Sequence, residues 1–133
     1  MSKNEHLQLA ALLLIFLWLL HVCSGDIGTA GQYAPPYLPT ACYGNDVSKF
    51  PSSNLFASAG NGIWDNGAAC GRQYFVRCLS AQTSGICKAG QIIKVNIVDR
   101  ASRNGVILVL STIAFGAIAN PSAALVNIEF AEA

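Results

Sequence analysis

Four cysteines, Cys42, Cys70, Cys78 and Cys87, sit in a stretch that holds no histidine, and this combination limits the fold most. The fifth cysteine, Cys23, and both histidines, His6 and His21, lie in the first 25 residues. That opening has the layout of a secretory leader: Lys3, an apolar run of 12 residues from Leu9 to Leu20, then small residues at Cys23 and Gly25. The run is short for a membrane span, which needs about 20 residues, so an uncleaved anchor is the poorer reading. Cleavage is expected after Gly25, with Gly28 or Ala30 as alternatives. The expected organisation is a signal peptide over 1–25 and one domain over 26–133, with no membrane insertion once the leader is removed.

Loss of the leader turns an odd cysteine count into an even one, as a disulfide framework in an oxidising compartment requires. It also leaves no histidine, which excludes Ser-His and Cys-His catalysis and any His-ligated zinc. The cysteine spacings of 28, 8 and 9 contain no C-x-x-C pair, so no metal site is expected. No cofactor is implied. The remaining 108 residues suffice for one core. Seven Lys or Arg stand against six Asp or Glu, with no basic stripe, so nucleic acid is not an expected partner. No long amphipathic helix or interface run stands out, and a monomer is expected.

Residues 26–43 are rich in Gly, Pro and Tyr. Thr29 to Tyr33 reads as a short first strand, and Pro35, Pro36 and Pro39 forbid helix after it. Residues 44–62 read as loop around one short strand or turn at Leu55-Phe56-Ala57. "CGRQYFVRCL" places Tyr74 and Val76 on one face and Phe75 and Arg77 on the other. "QIIKVNIVDR" alternates in the same way: Ile93, Val95 and Ile97 oppose Lys94, Asn96 and Val98. Asn104-Gly105 signals a turn, and "VILVL" an apolar strand. Ser111 reads as the N-cap of a short helix, "TIAFGAIA", stopped by Asn120-Pro121. "ALVNIEFA" closes the chain as an alternating strand. About six short strands and one short helix point to an all-β fold, a small closed or nearly closed barrel.

Four motifs then occur in order: "TACYGND", "IWDNGAACGRQYFVRC", "CKAGQIIKVNIVD" and "LSTIAFGAIANPSAALVNIEF". Together they resemble the N-terminal domain of the plant expansin superfamily, which is similar to the family-45 endoglucanases. The small stand-alone members, the plant natriuretic peptides and blight-associated proteins, resemble the chain best. The resemblance covers the whole of 26–133 and implies a six-stranded double-psi β-barrel, also the barrel of barwin. Sequence alone leaves three disulfide connectivities open. The resemblance implies Cys42 with Cys70 and Cys78 with Cys87. Many relatives carry two further cysteines where this chain reads "RASRNGV", so that loop lacks a bridge and is expected to be more mobile.

Hydrolysis by such a domain needs two carboxyl groups, one to protonate the leaving oxygen and one to activate water. The resemblance places one acid at the tripeptide before Leu110-Ser111, where this chain has Ile107-Leu108-Val109. Val109 cannot transfer a proton. The other site falls near Gly31. No catalytic residue is therefore expected. Asp99, at a strand end beside Arg100, is the remaining groove candidate. Asp65, in "WDNG", reads as an Asx-turn before Asn66-Gly67, and Asp46 in "YGND" is similar. Ser111 has no histidine to activate it. Tyr37, Tyr43 and Trp64 are candidates for stacking on sugar rings, and Tyr37, between prolines, is expected to be exposed. Tyr33 and Tyr74 add to the aromatic count, Tyr74 as a packing residue.

The resemblance implies a secreted, non-enzymatic protein of the apoplast, acting in water and solute homeostasis or stress response through a cell-surface receptor. Its active segment corresponds to residues 36–69. The alternative is a cell-wall module that binds or loosens polysaccharide without hydrolysis, and a third reading is a barwin-like chitin or glucan binder.

Overall fold

The computed structural model describes residues 25–133, together with Glu5 and Gln8. The leader expected over 1–25 otherwise lies outside the described residues. Six strands form: β1 (Asp26–Tyr33), β2 (Phe56–Ala59), β3 (Gln73–Ser80), β4 (Ile92–Arg100), β5 (Leu108–Ser111) and β6 (Val126–Glu132). They close a barrel in the order β1-β5-β2-β4-β3-β6, with β6 pairing back to β1. Two of the six seams are parallel, β1 with β5 and β2 with β4. Parallel neighbours cannot be joined by a hairpin, so the chain crosses over the barrel to make them. This is the double-psi β-barrel. Closure leaves no free edge on a chain this apolar.

The period-two runs supply the core. Tyr74 and Val76 from β3, Val95 and Ile97 from β4, and Val126, Ile128 and Phe130 from β6 are buried. Leu108, Leu110, Phe115 and Ile118 fill the space between them, while Phe56 is buried outside this cluster against Tyr33, Tyr37 and Phe50. Each such aliphatic or aromatic side chain contributes about 1.5 to 3 kcal/mol relative to exposure. The outward partners Phe75, Arg77 and Lys94 are exposed, as alternation requires.

In β4 the alternation of burial fails at Val98, which is 1% exposed next to the buried Ile97. The cause is a register shift: Ala57 pairs with Ile97, but Ser58 pairs with Asp99, so Val98 is skipped. A bulge of this kind re-aims the residues that follow it. The first strand begins at Asp26, earlier than the sequence predicts, because Asp26 to Ala30 pair with β6.

Helix α1 (Asn61–Trp64) is one turn that the sequence does not announce. Asp65 and Asn66 follow it at φ of 53° and 51°, so the chain turns there through consecutive left-handed residues. Helix α2 (Thr112–Ile118) is capped by Ser111, whose Oγ accepts from Ala114 N at 3.1 Å and donates to Asn54 O at 2.7 Å. The disulfides join Cys42 to Cys70 and Cys78 to Cys87. The first ties the loop after β1 to the entry of β3. The second staples the β3–β4 connection. Among the described residues no helix is long and apolar enough to cross a membrane.

Candidate functional site

The register brings the two sites named from sequence together. Gly31 of β1 is the direct partner of Val109 of β5. Val109 in turn faces Ser58 of β2, and Ser58 faces Asp99 of β4. These four residues make one row across four strands. The strand neighbours Ala30, Leu108, Leu110, Ala57 and Ala59 belong to the core, so the row lies on the outer face.

Two strands of this row carry no polar side chain. Val109 is buried with Ala101 and Val106, and Tyr33 packs against them as a second small apolar cluster. The β4–β5 loop thus lies down on the row through Ala101 and Val106. At Gly31 the absent side chain is what admits a neighbour: a Cβ there would sit 2.7 Å from Arg103 Nη1. The guanidinium of Arg103 occupies the space above Gly31.

Asp99 is half-buried at the end of the row. Its Oδ1 accepts from Ala41 N at 2.7 Å and from Arg100 N at 2.8 Å. The carboxylate therefore fastens the Pro/Tyr-rich loop next to Cys42. It is the one acid on the row, and two-carboxyl chemistry has no second acid here.

Tyr33 is the odd residue of the face. Its hydroxyl is buried without a hydrogen-bond partner. Burial pushes the phenol up to about 12, and the Asp99 carboxylate adds to the rise. The Ser58 hydroxyl lies close enough to moderate this, although no hydrogen bond of acceptable geometry joins the two.

The aromatic candidates separate. Tyr37 is half-buried, which corrects the expectation of exposure. Its ring packs edge-on against Tyr33 at 4.8 Å and Phe56 at 4.7 Å, and its hydroxyl donates to Tyr33 O at 3.1 Å. Aromatic edge contacts satisfy the ring better than the flanking prolines leave it free. Tyr43 is half-buried beneath Lys49, whose Nζ lies 5.9 Å from the ring centroid. Tyr74 is buried against Phe130. Trp64 packs partly on the core and keeps one face for Arg100, whose guanidinium carbon is 5.7 Å from the ring centroid. Of these rings Trp64 is the one stacked against Arg100, the last residue of β4.

Asp65 is exposed, and its carboxylate binds Arg72 Nη2 at 2.8 Å. It does not close the Asx-turn that its place in "WDNG" predicts, because the left-handed backbone at 65 and 66 turns the chain by itself. Asp46 does make such a turn. Ser48 donates to it from hydroxyl and amide, which holds its carboxyl below the usual range.

Sequence reasoning passes over Arg100 and Arg103. The signal was present in "DRASRNG", two cations close together at the end of β4 and in the loop after it. Neither has a carboxylate within 4 Å among the described residues. No group of three or more His, Cys, Asp or Glu could hold a metal among the described residues.

Comparison with known proteins agrees with this architecture. Residues 57–130 match the double-psi β-barrel family model described as lytic transglycolase. An EG45-like domain containing protein of Citrus jambhiri is 39% identical over 112 residues, which span 80% of each chain. EG45-like domain containing protein 2 of Arabidopsis thaliana is 39% identical over 107 residues, 77% of each chain. The fold is similar to apo expansin from Clavibacter michiganensis, with a TM-score of 0.60 at 18% identity over 80% of this chain. A mutant of that expansin in complex with cellohexaose gives a TM-score of 0.63 at 19% identity. The chain spans about half of those expansins, 49% of their length. The Streptomyces papain inhibitor shares the fold at a TM-score of 0.55 and 19% identity, with 96% of its length matched. The barrel order, the matched family model and the two EG45-like relatives carry one conclusion: the chain belongs to the double-psi β-barrel family, in its EG45-like branch.

Proposed function

We propose that this is a secreted, non-enzymatic recognition protein of the apoplast, of the natriuretic-peptide-like kind, acting in water and solute homeostasis or stress response through a cell-surface receptor. The observation that carries the non-enzymatic part is the row Gly31–Val109–Ser58–Asp99. It offers one carboxylate, already committed to two backbone amides, where hydrolysis wants two free carboxyl groups. The receptor part is supported by the build of residues 36–69. That segment is held by Cys42–Cys70 and by Asp99 on Ala41, while Val47, Asn61 and Asp65 remain exposed. Loops fixed on a rigid barrel are suited to recognition.

A second reading, a non-hydrolytic module that binds or loosens cell-wall polysaccharide, is favoured by Trp64 and Arg100 beside the row and by the related barrel crystallised with cellohexaose. One experiment separates the two. The labelled, oxidised protein is offered in parallel to plant plasma-membrane vesicles and to insoluble wall polysaccharides. Saturable, competable binding to vesicles with no polysaccharide retention supports the receptor reading. Retention on polysaccharide that Trp64→Ala abolishes, without vesicle binding, supports the wall module. Release of reducing sugar by the wild type in the same tubes would overturn the non-enzymatic part of both.

A further inference from the structure

Among the described residues Arg103 has no acidic partner, and its position decides what the outer face can accept. The side chain crosses to Gly31, where its Nη1 would touch a Cβ. It also lines a shallow depression of about 380 Å³, with Thr29, Asn61, Asn104, Val106 and Ile107 among its walls. That is within the range of small-ligand sites, roughly 300 to 1,000 Å³. Asn61 on the same wall accepts from Arg100 Nη2 at 3.3 Å. Arg103 therefore lines the depression and Arg100 reaches its wall through Asn61, and among the described residues no carboxylate lines it. Asp99, the nearest acid in sequence, spends an oxygen on Ala41 N and Arg100 N.

We propose that this depression binds a carboxylate-bearing sugar of an acidic polysaccharide, with Arg103 on the uronate carboxylate and Arg100 beside it. The proposal rests on the wall-module reading and names its substrate class. Arginine suits this because its planar fork meets a carboxylate with two parallel hydrogen bonds. The other walls suit a sugar ring. Asn61, Asn104 and Thr29 offer hydrogen bonds to hydroxyls, and Ile107 and Val106 offer apolar surface to ring C–H groups. A neutral glucan would bring neither guanidinium group a carboxylate.

The test uses the full secreted, oxidised protein and three soluble probes: polygalacturonate oligomers, the same oligomers fully methyl-esterified, and cello-oligosaccharides of equal length. Calorimetry at low and high salt is expected to show binding of the free uronate only, weakened by salt. Arg103→Gln is expected to weaken it about tenfold with an unchanged thermal midpoint. Gly31→Asp, which sets a carboxylate against Arg103, is expected to do the same from the other side. Lys94→Gln removes an equal charge from the outer face of β4 and should change affinity less than twofold. Equal binding of free and esterified oligomers, or equal losses in Arg103→Gln and Lys94→Gln, overturns the proposal. Binding of cello-oligosaccharide but not uronate leaves the wall module standing and removes this inference. Binding of none of the three removes both.

Discussion

At Tyr33 the barrel holds a buried phenol hydroxyl that makes no hydrogen bond, with Ser58 and Asp99 nearby. A buried donor left unpaired costs about 1 to 3 kcal/mol. Tyr33→Phe removes that cost and keeps the ring's contacts with Tyr37 and Phe56. It is expected to raise stability by about 1 kcal/mol in urea unfolding at neutral pH. The same residue sets an alkaline limit. Its folded pKa stands above the ordinary 10.0, at about 12, so folding favours the neutral phenol. Its contribution is complete below about pH 10 and is lost as pH rises from 10 to about 12. In Tyr33→Phe that loss should be missing from the unfolding midpoint over this interval. An unchanged alkaline slope would remove Tyr33 as its source. Val109 poses the converse case. Restoring an acid there would bury a carboxylate among Ala101, Val106 and Tyr33. Val109→Asp is expected to cost about 3 kcal/mol in the same assay and to give no hydrolysis. A stable Val109→Asp protein would mean that the β4–β5 loop lifts freely from the row.

Strands and helices differ in how openly they were written. β3, β4 and β6 were legible because one residue in two is apolar and the core takes that face. Helix α2 was legible from Ser111 before it and Asn120-Pro121 after it. Ser111→Ala tests that reading of the element. It removes a cap on Ala114 N and leaves Asn54 O without its donor, and about 2 kcal/mol should be lost in urea unfolding. A loss below about 0.5 kcal/mol would show that packing of Phe115 and Ile118 holds the helix without its cap. Strand β2 was poorly legible because all four of its residues are buried, so "FASA" shows no alternation. Helix α1 is a single turn, too short to leave a period, and Val98 sits at a bulge that depends on its partner strand. The site followed the same division. Resemblance pointed to Gly31 and Val109, but their adjacency comes from a parallel seam between strands far apart in sequence. The place of Arg103 is a tertiary fact that no local pattern encodes.

Across the whole molecule, one long excursion from β1 to β2 must be held against the barrel, and two ties do this at consecutive residues. The backbone amide of Ala41 is bound to Asp99 of β4, and Cys42 is bonded to Cys70 before β3. The disulfide closes a separation of 28 residues, worth about 3 to 4 kcal/mol on the loop-entropy model. The Asp99 hydrogen bonds are half exposed and contribute about 1 kcal/mol. Because the ties share one loop, they are not independent. With the disulfide gone, Ala41 is no longer held near Asp99, and ordering it costs what the bridge used to prevent. The expected cycle follows. Cys42→Ser with Cys70→Ser loses about 3 kcal/mol, Asp99→Ala loses about 1, and the combined variant loses less than their sum by at least about 0.5 kcal/mol. Urea unfolding of the four proteins measures all three values. Additivity within about 0.3 kcal/mol would show that Asp99 fixes its segment without help from the bridge, and that the recognition loop has two separate anchors instead of one coupled clamp.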